Sequence, residues 1–171
     1  MELNIQLAQA SQTQEIFELL QACAKDMREQ GIFQWNENYP LVSHVEKDIS
    51  NKSMHCLVED ERIAGIVVID ENQSPEYKTV QWQYHSTPIL VVHRFAVHPN
   101  FQKQGIGKKL MDFALNFALE NDYQSIRLDA YSENERTQRF YQNRGYIKRG
   151  EIHFPYREAH FNCYEKNLNP S

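Results

Sequence analysis

The chain has 171 residues, of which 41% are hydrophobic and 24% charged, the length of one ordinary domain with enough apolar side chain for a packed core. Only six glycines and six prolines, with two Trp, nine Tyr and nine Phe spread along the chain, exclude a disordered, collagenous or low-complexity class. A formal net charge of −5 argues against a broad grip on nucleic acid, and no apolar run approaches the ~20 residues of a membrane span.

In chain order, residues 4–8 read as a first strand, and Ser11 with Gln14 forms an S-x-x-Q capping box for a helix. Ile16, Leu19, Leu20, Cys23 and Met27 then recur at helical spacing up to Gly31. Residues 34–40 are polar and aromatic without a period, a loop with binding potential, and a short helix follows over about 41–49. Residues 54–59 and 63–69 are β-rich runs separated by Asp60-Glu61-Arg62, a hairpin. Residues 70–86, polar with interleaved Tyr77, Trp82 and Tyr84, form a long excursion between strands. Residues 89–97 are the most apolar strand, closed by His98-Pro99-Asn100. The helix after it, from about Gln104, has one narrow polar stripe (Lys109, Asp112, Asn116, Glu120), and its apolar residues up to Leu119 imply packing on several sides. Residues 126–130 form a strand. Ser132 with Glu135 gives a second capping box, for a helix reaching Arg144 and stopped by Gly145. Extended structure resumes at Tyr146, Phe154-Pro155-Tyr156 turns, and residues 161–168 alternate as a last strand. The order β-α-α-β-β-β-α-β-α-β-β predicts a mixed α/β (α+β) sheet in a single domain, residues 1–171, rather than a doubly wound one.

Cys23, Cys56 and Cys163 are odd in number, far apart and set among apolar neighbours, so they read as small buried hydrophobes in a reducing, cytoplasmic protein. The N-terminus has neither a basic nor an apolar leader segment. No H-E-x-x-H or close His/Cys/Asp group is present, so no metal site is expected, and His44, His55 and His160 read as ordinary surface or strand residues.

The informative block runs from Val91 to Leu110 and places Gln102-Lys103-Gln104-Gly105-Ile106-Gly107 between a buried strand and a buried helix. A helix N-terminus presents free N–H groups and a positive dipole end, and two glycines in the turn let a phosphate approach the backbone without an intervening Cβ. Lys103, Lys108 and Lys109 add a basic cluster to an acidic chain. An isolated G-x-G serves turn geometry as readily. The spacing excludes both a dinucleotide G-x-G-x-x-G, which needs a third glycine where Leu110 stands, and a P-loop.

Val97-His98-Pro99 followed by Q-x-x-G-x-G, with Asn134, Phe140-Tyr141 and Gly145-Tyr146 downstream, resembles the GNAT superfamily of acetyl-CoA-dependent N-acetyltransferases. The resemblance implies a mostly antiparallel sheet with helices on both faces and a splayed central strand. It further implies that backbone near Phe95, Ala96 and Val97 pairs with the pantetheine arm of acetyl-CoA, that the amides of Gln102, Lys103, Gln104, Gly105, Ile106, Gly107 and Lys108 hold the pyrophosphate, and that Asn134 reaches the arm from its far side. Asn134 could alternatively cap its helix. Tyr141 would be the general acid for the departing thiolate, and a backbone N–H, that of Phe95, the oxyanion donor. The general base is not fixed in this superfamily. His93, on the face of Val91 and Phe95, is the first candidate, with Glu37, Asp129 or a water-mediated base as alternatives. Trp35 and Glu37 fall where the family's acceptor loop lies, and Tyr84 and Tyr156 could approach from other loops. The implied reaction acetylates a primary amine of a small molecule or of a protein. A non-catalytic CoA-binding or regulatory module is the competing reading, nucleic acid and membrane are not expected partners, and a homodimer is common in the family.

Overall fold

The computed structural model describes residues 4–155 and 157–169, so Tyr156 lies outside the described residues. Seven strands and four α-helices follow in the order expected: β1 (Ile5–Leu7), α1 (Thr13–Glu29), α2 (Val42–Ser50), β2 (Met54–Glu59), β3 (Arg62–Asp70), β4 (Ile89–Val97), α3 (Ile106–Glu120), β5 (Ser125–Tyr131), α4 (Glu135–Asn143), β6 (Ile147–Ile152) and β7 (Phe161–Asn167). They divide into two compact units interleaved in sequence, Met1–Ile69 with Arg94–Ala114, and Asp70–His93 with Leu115–Ser171.

In the first unit β2 pairs antiparallel with β1 and with β3. The β2–β3 loop is just Asp60 and Glu61, both left-handed at φ 49° and 64°, the backbone a two-residue hairpin demands. Ile16, Leu19, Leu20, Cys23 and Ala24 line the buried stripe of α1 and share a core with Val45, Met54, Cys56, Ile66, Val68 and Ala96. Burying each of the large side chains among them contributes roughly 1.5–3 kcal/mol. The opposite face of β3 is also covered, because a Cβ on Gly65 would meet Leu110 and Ile106 of α3 at 2.8 and 3.1 Å. Helices on both faces explain why every residue from Ile63 to Ile69 is buried and why the run is apolar without alternation.

In the second unit β5 pairs antiparallel with β7, and β7 with β6. The ladder between β5 and β4 is parallel and extends only from Ile89↔Ser125 to Val92↔Leu128. The excursion after β3 is tied down: Pro75–Thr79 form a 3-10 helix, Tyr77 Oη donates to Asp129 (2.6 Å), Trp82 Nε1 donates to Tyr77 O (2.9 Å), and Arg127 donates to Gln73 and to the Tyr84 carbonyl.

Three local expectations are corrected. Ser11 sits inside a 3-10 turn, Ala10–Gln12, where the Gln12 side chain accepts from Gln9 N–H (2.8 Å). That turn takes the place of the S-x-x-Q box. At α4 the cap is Asn134, whose Oδ1 accepts from Thr137 N–H (3.3 Å), rather than Ser132. The helix α3 is less enclosed than its apolar sequence implies, since Leu119 near its end is 50% exposed.

Candidate functional site

The turn into α3 has the backbone of an anion cradle. Lys103 and Gly105 are both left-handed, at φ 64° and 80°, and Gly105 adopts this without the strain a side chain brings. A Cβ placed on Gly105 would meet no atom within 4 Å, so the backbone there is open to approach. The first α-helical bond runs from Lys109 N–H to Gly105 O (3.0 Å), which leaves the amides from Gly105 to Lys108 ahead of the helical ladder. Side chains fix the turn from behind: Gln102 Nε2 donates to Val97 O and Gln104 Nε2 to Asn100 O, both at 3.4 Å, and His98 Nδ1 accepts from Asn100 N–H (3.0 Å). The two glutamines therefore shape the turn with their side chains. The expected cluster of three lysines is reduced: Lys108 pairs with Asp112 (2.9 Å) and Lys109 with Glu59 (3.6 Å). Lys103 alone of the three has no ion pair among the described residues. Open amides, a helix N-terminus and an unpaired cation form a donor set suited to a polyphosphate.

Upstream on β4, Ala96 is buried while Phe95 and Val97 are half-buried. The Val97 carbonyl already accepts from Cys23 Sγ (3.2 Å) as well as from Gln102. Burial pushes the Cys23 thiol up to about 12 and Cys56 to about 11, so neither acts as a nucleophile near neutral pH. Arg94 is held by a bidentate pair with Asp48 of α2 (2.7 and 2.6 Å) and donates its third nitrogen to Tyr39 Oη (2.5 Å). That network anchors the loop before α2 to β4. Trp35, expected on the acceptor side, is 6% exposed and belongs to the core, whereas Glu37 is exposed. The aromatic residue thus supports the loop from beneath, and the carboxylate is what the loop presents.

In the second unit His93 Nε2 lies 2.7 Å from Asp70 Oδ1, each side chain about a quarter exposed (27% and 25%). Asp70 is steadied in turn by Asn72, whose backbone N–H donates to it at 2.8 Å. Burial alone would raise the Asp70 carboxyl, but the hydrogen bond and charge of His93 prevail and hold it below the ordinary carboxylate range. Asp129 is a weaker base candidate on this geometry. Desolvation raises its carboxyl above the usual range and so strengthens it as a base, but its Oδ2 is occupied by the Tyr77 hydroxyl. Tyr141 is 4% exposed and packs edge-on against Tyr146 (5.7 Å) with Tyr164 at 6.3 Å. Burial raises its hydroxyl far above the ordinary tyrosine value, so it holds its proton at any physiological pH. Asn134 uses its side-chain carbonyl oxygen to cap α4, the alternative role weighed for it from the sequence.

Sequence reading missed Asp48, Asp70 and the fixed role of Arg94. One signal was available: a charged residue inside an otherwise apolar strand needs a buried partner.

Residues 14–146 match the acetyltransferase (GNAT) family. Among solved structures, the chain resembles a GNAT-family acetyltransferase from Streptococcus agalactiae with a TM-score of 0.85 at 20% identity, covering 98% of this chain and 96% of that one. It also resembles a GNAT-family acetyltransferase from Listeria monocytogenes, with a TM-score of 0.77 at 22% identity over 98% and 96% of the two chains. The structural likenesses establish the fold, and the family match covers most of the sequence, including the strand, turn and helix just described. The chain belongs to the acetyltransferase (GNAT) family.

Proposed function

We propose that this protein is an N-acetyltransferase that uses acetyl-CoA as donor and a primary amine, of a small molecule or of a protein, as acceptor. The observation that carries the reading is the cradle at the start of α3, with left-handed Lys103 and Gly105 and open space over Gly105. In this reading the amides from Gln102 to Lys108 hold the pyrophosphate, Lys103 adds charge, and Phe95, Ala96 and Val97 with Asn134 meet the pantetheine arm. The family match crosses both compact units, which supports treating residues 1–171 as one functional domain. Buried, reduced cysteines support a cytoplasmic setting.

Acyl transfer from the thioester needs an unprotonated amine, a donor for the tetrahedral oxyanion and a proton for the thiolate. His93 accepts the proton that the amine loses, Phe95 N–H receives the oxyanion, and Tyr141 gives its hydroxyl proton to the leaving sulfur as the carbon–sulfur bond breaks. Glu37, exposed on the loop between α1 and α2, attracts a cationic acceptor.

The test is free-thiol release from acetyl-CoA with spermidine, lysine amide and an alanine-initiated peptide as acceptors, each product confirmed by mass spectrometry. Amine-dependent release supports the reading. CoA binding without acetylation of any amine would replace it with the non-catalytic CoA-binding module.

A further inference from the structure

We infer that Asp70 is a positioning residue that fixes the ring of His93 with its Nε2–H bound and its Nδ1 lone pair presented to the acceptor. The inference rests on the reading of His93 as the base given above and names the group that makes it one.

A neutral imidazole has one nitrogen that donates and one that accepts, and the partner of the donor decides which is which. Asp70 is an acceptor at 2.7 Å from Nε2, and a carboxylate held below the ordinary range stays ionised and can only accept. The proton of the neutral ring therefore sits on Nε2. Among the described residues Nδ1 has no hydrogen-bond partner, and it is not one of the side-chain nitrogens sealed from solvent. The basic nitrogen is thus the reachable one. The carboxylate is itself oriented, because Asn72 donates from its backbone N–H at 2.8 Å and its side chain lies at 3.4 Å.

The groups around the ring are mostly acidic. The charge of His93 lowers the carboxyls of both Asp70, at the end of β3, and Asp129 on β5. Glu71 next to Asp70 is engaged by the Tyr123 hydroxyl (3.1 Å), and Glu76 of the 3-10 helix influences Asp129. In the proton step, the amine's N–H bond breaks, an Nδ1–H bond forms, and the positive charge passes from the ammonium to an imidazolium facing Asp70. No other reactant is needed, and water receives the proton afterwards. The arrangement shares the logic of a hydrolase triad, in which a carboxylate sets the tautomer and stabilises the imidazolium.

Two-bond 1H–15N correlation of the whole protein reads the tautomer without any acceptor, with His93→Gln assigning the ring. The expected signature at pH 8 is a protonated Nε2 and a bare Nδ1. An Nδ1–H tautomer overturns the inference whatever the activity. In His93→Gln, 13C titration of Asp70 should show its carboxyl returning upward toward its ordinary value, and an unmoved carboxyl would also overturn it. With acetyl-CoA and the amine acetylated most strongly in the thiol-release panel, Asp70→Asn should lower kcat about tenfold with KM for the amine unchanged. The pH at which kcat/KM reaches half its plateau should fall by about one unit. A loss confined to KM, or an unshifted profile, counts against positioning. If the tautomer is as expected but His93→Gln leaves rate and pH profile intact, the dyad stands and the reading of His93 as base fails.

Discussion

Two consecutive residues of β4 each meet an aspartate at nearly the same distance, yet their surroundings give them different work. Arg94 and Asp48 lie 2.6 Å apart with side chains 15% and 9% exposed, and Tyr39 takes the remaining guanidinium nitrogen. Its donors are committed to the protein, so the pair fastens α2 and the loop before it to the strand. His93 and Asp70 are as close, at 2.7 Å, but a quarter exposed, and among the described residues Nδ1 of the ring has no hydrogen-bond partner. Contact distance alone would not tell the two pairs apart. What separates them is whether a chemically competent atom is left over after the fold has been satisfied.

The largest effect that would sharpen this contrast is on stability. Asp48→Ala strands the Arg94 charge in a nearly dry site and should cost about 3–5 kcal/mol in urea unfolding. The double variant Arg94→Met, Asp48→Leu should recover much of it. A loss below about 1 kcal/mol would mean that the Arg94 pair is no more structural than an exposed one. Next in size is Tyr141→Phe, which keeps the ring among Tyr146 and Tyr164 and removes only the hydroxyl. Acetyl-CoA affinity should hold while kcat falls about 10²-fold. An unchanged kcat, with chemistry rate-limiting, would place Tyr141 with the packing residues.

A third test uses pH on the acid that neither pair uses. Desolvation raises the Asp129 carboxyl above its ordinary 3.8, so between that value and the raised one the folded chain binds the proton more than the unfolded chain does. Stability then falls as pH rises across this window. Asp129→Asn carries no such proton and can still accept from Tyr77, so its melting temperature should lack that decline. Parallel Tm-against-pH curves for variant and wild type would remove Asp129 from the account of the second unit. The smallest effect belongs to Glu37→Gln. An exposed charge is screened, so KM for the amine should rise about threefold with kcat nearly intact. A fall confined to kcat would transfer the base from His93 to Glu37.

The strand and helix order was legible because periodicity is local. The α1 stripe at Ile16, Leu19, Leu20 and Cys23 and the apolar run of β4 carry their burial in their own spacing. The glycine turn into α3 was legible for the same reason, since its glycines and the helix they open are contiguous. Charge partners were not. Asp48 lies 46 residues from Arg94 and Asp70 lies 23 from His93, and no periodicity links such pairs. The Lys108–Asp112 pair is the exception that spacing could have found, being four residues apart on one helix. Trp35 misled because an aromatic residue in a polar loop looks available, whereas here its ring completes the core beneath the loop.

Calorimetric titration with CoA asks whether the turn from Gln102 to Lys108 holds the pyrophosphate. Wild-type protein should bind, and Gly107→Val, with its fold confirmed by circular dichroism, should lose at least about tenfold in affinity, equivalent to ~1.4 kcal/mol. Wild-type affinity in a folded Gly107→Val variant would contradict the account.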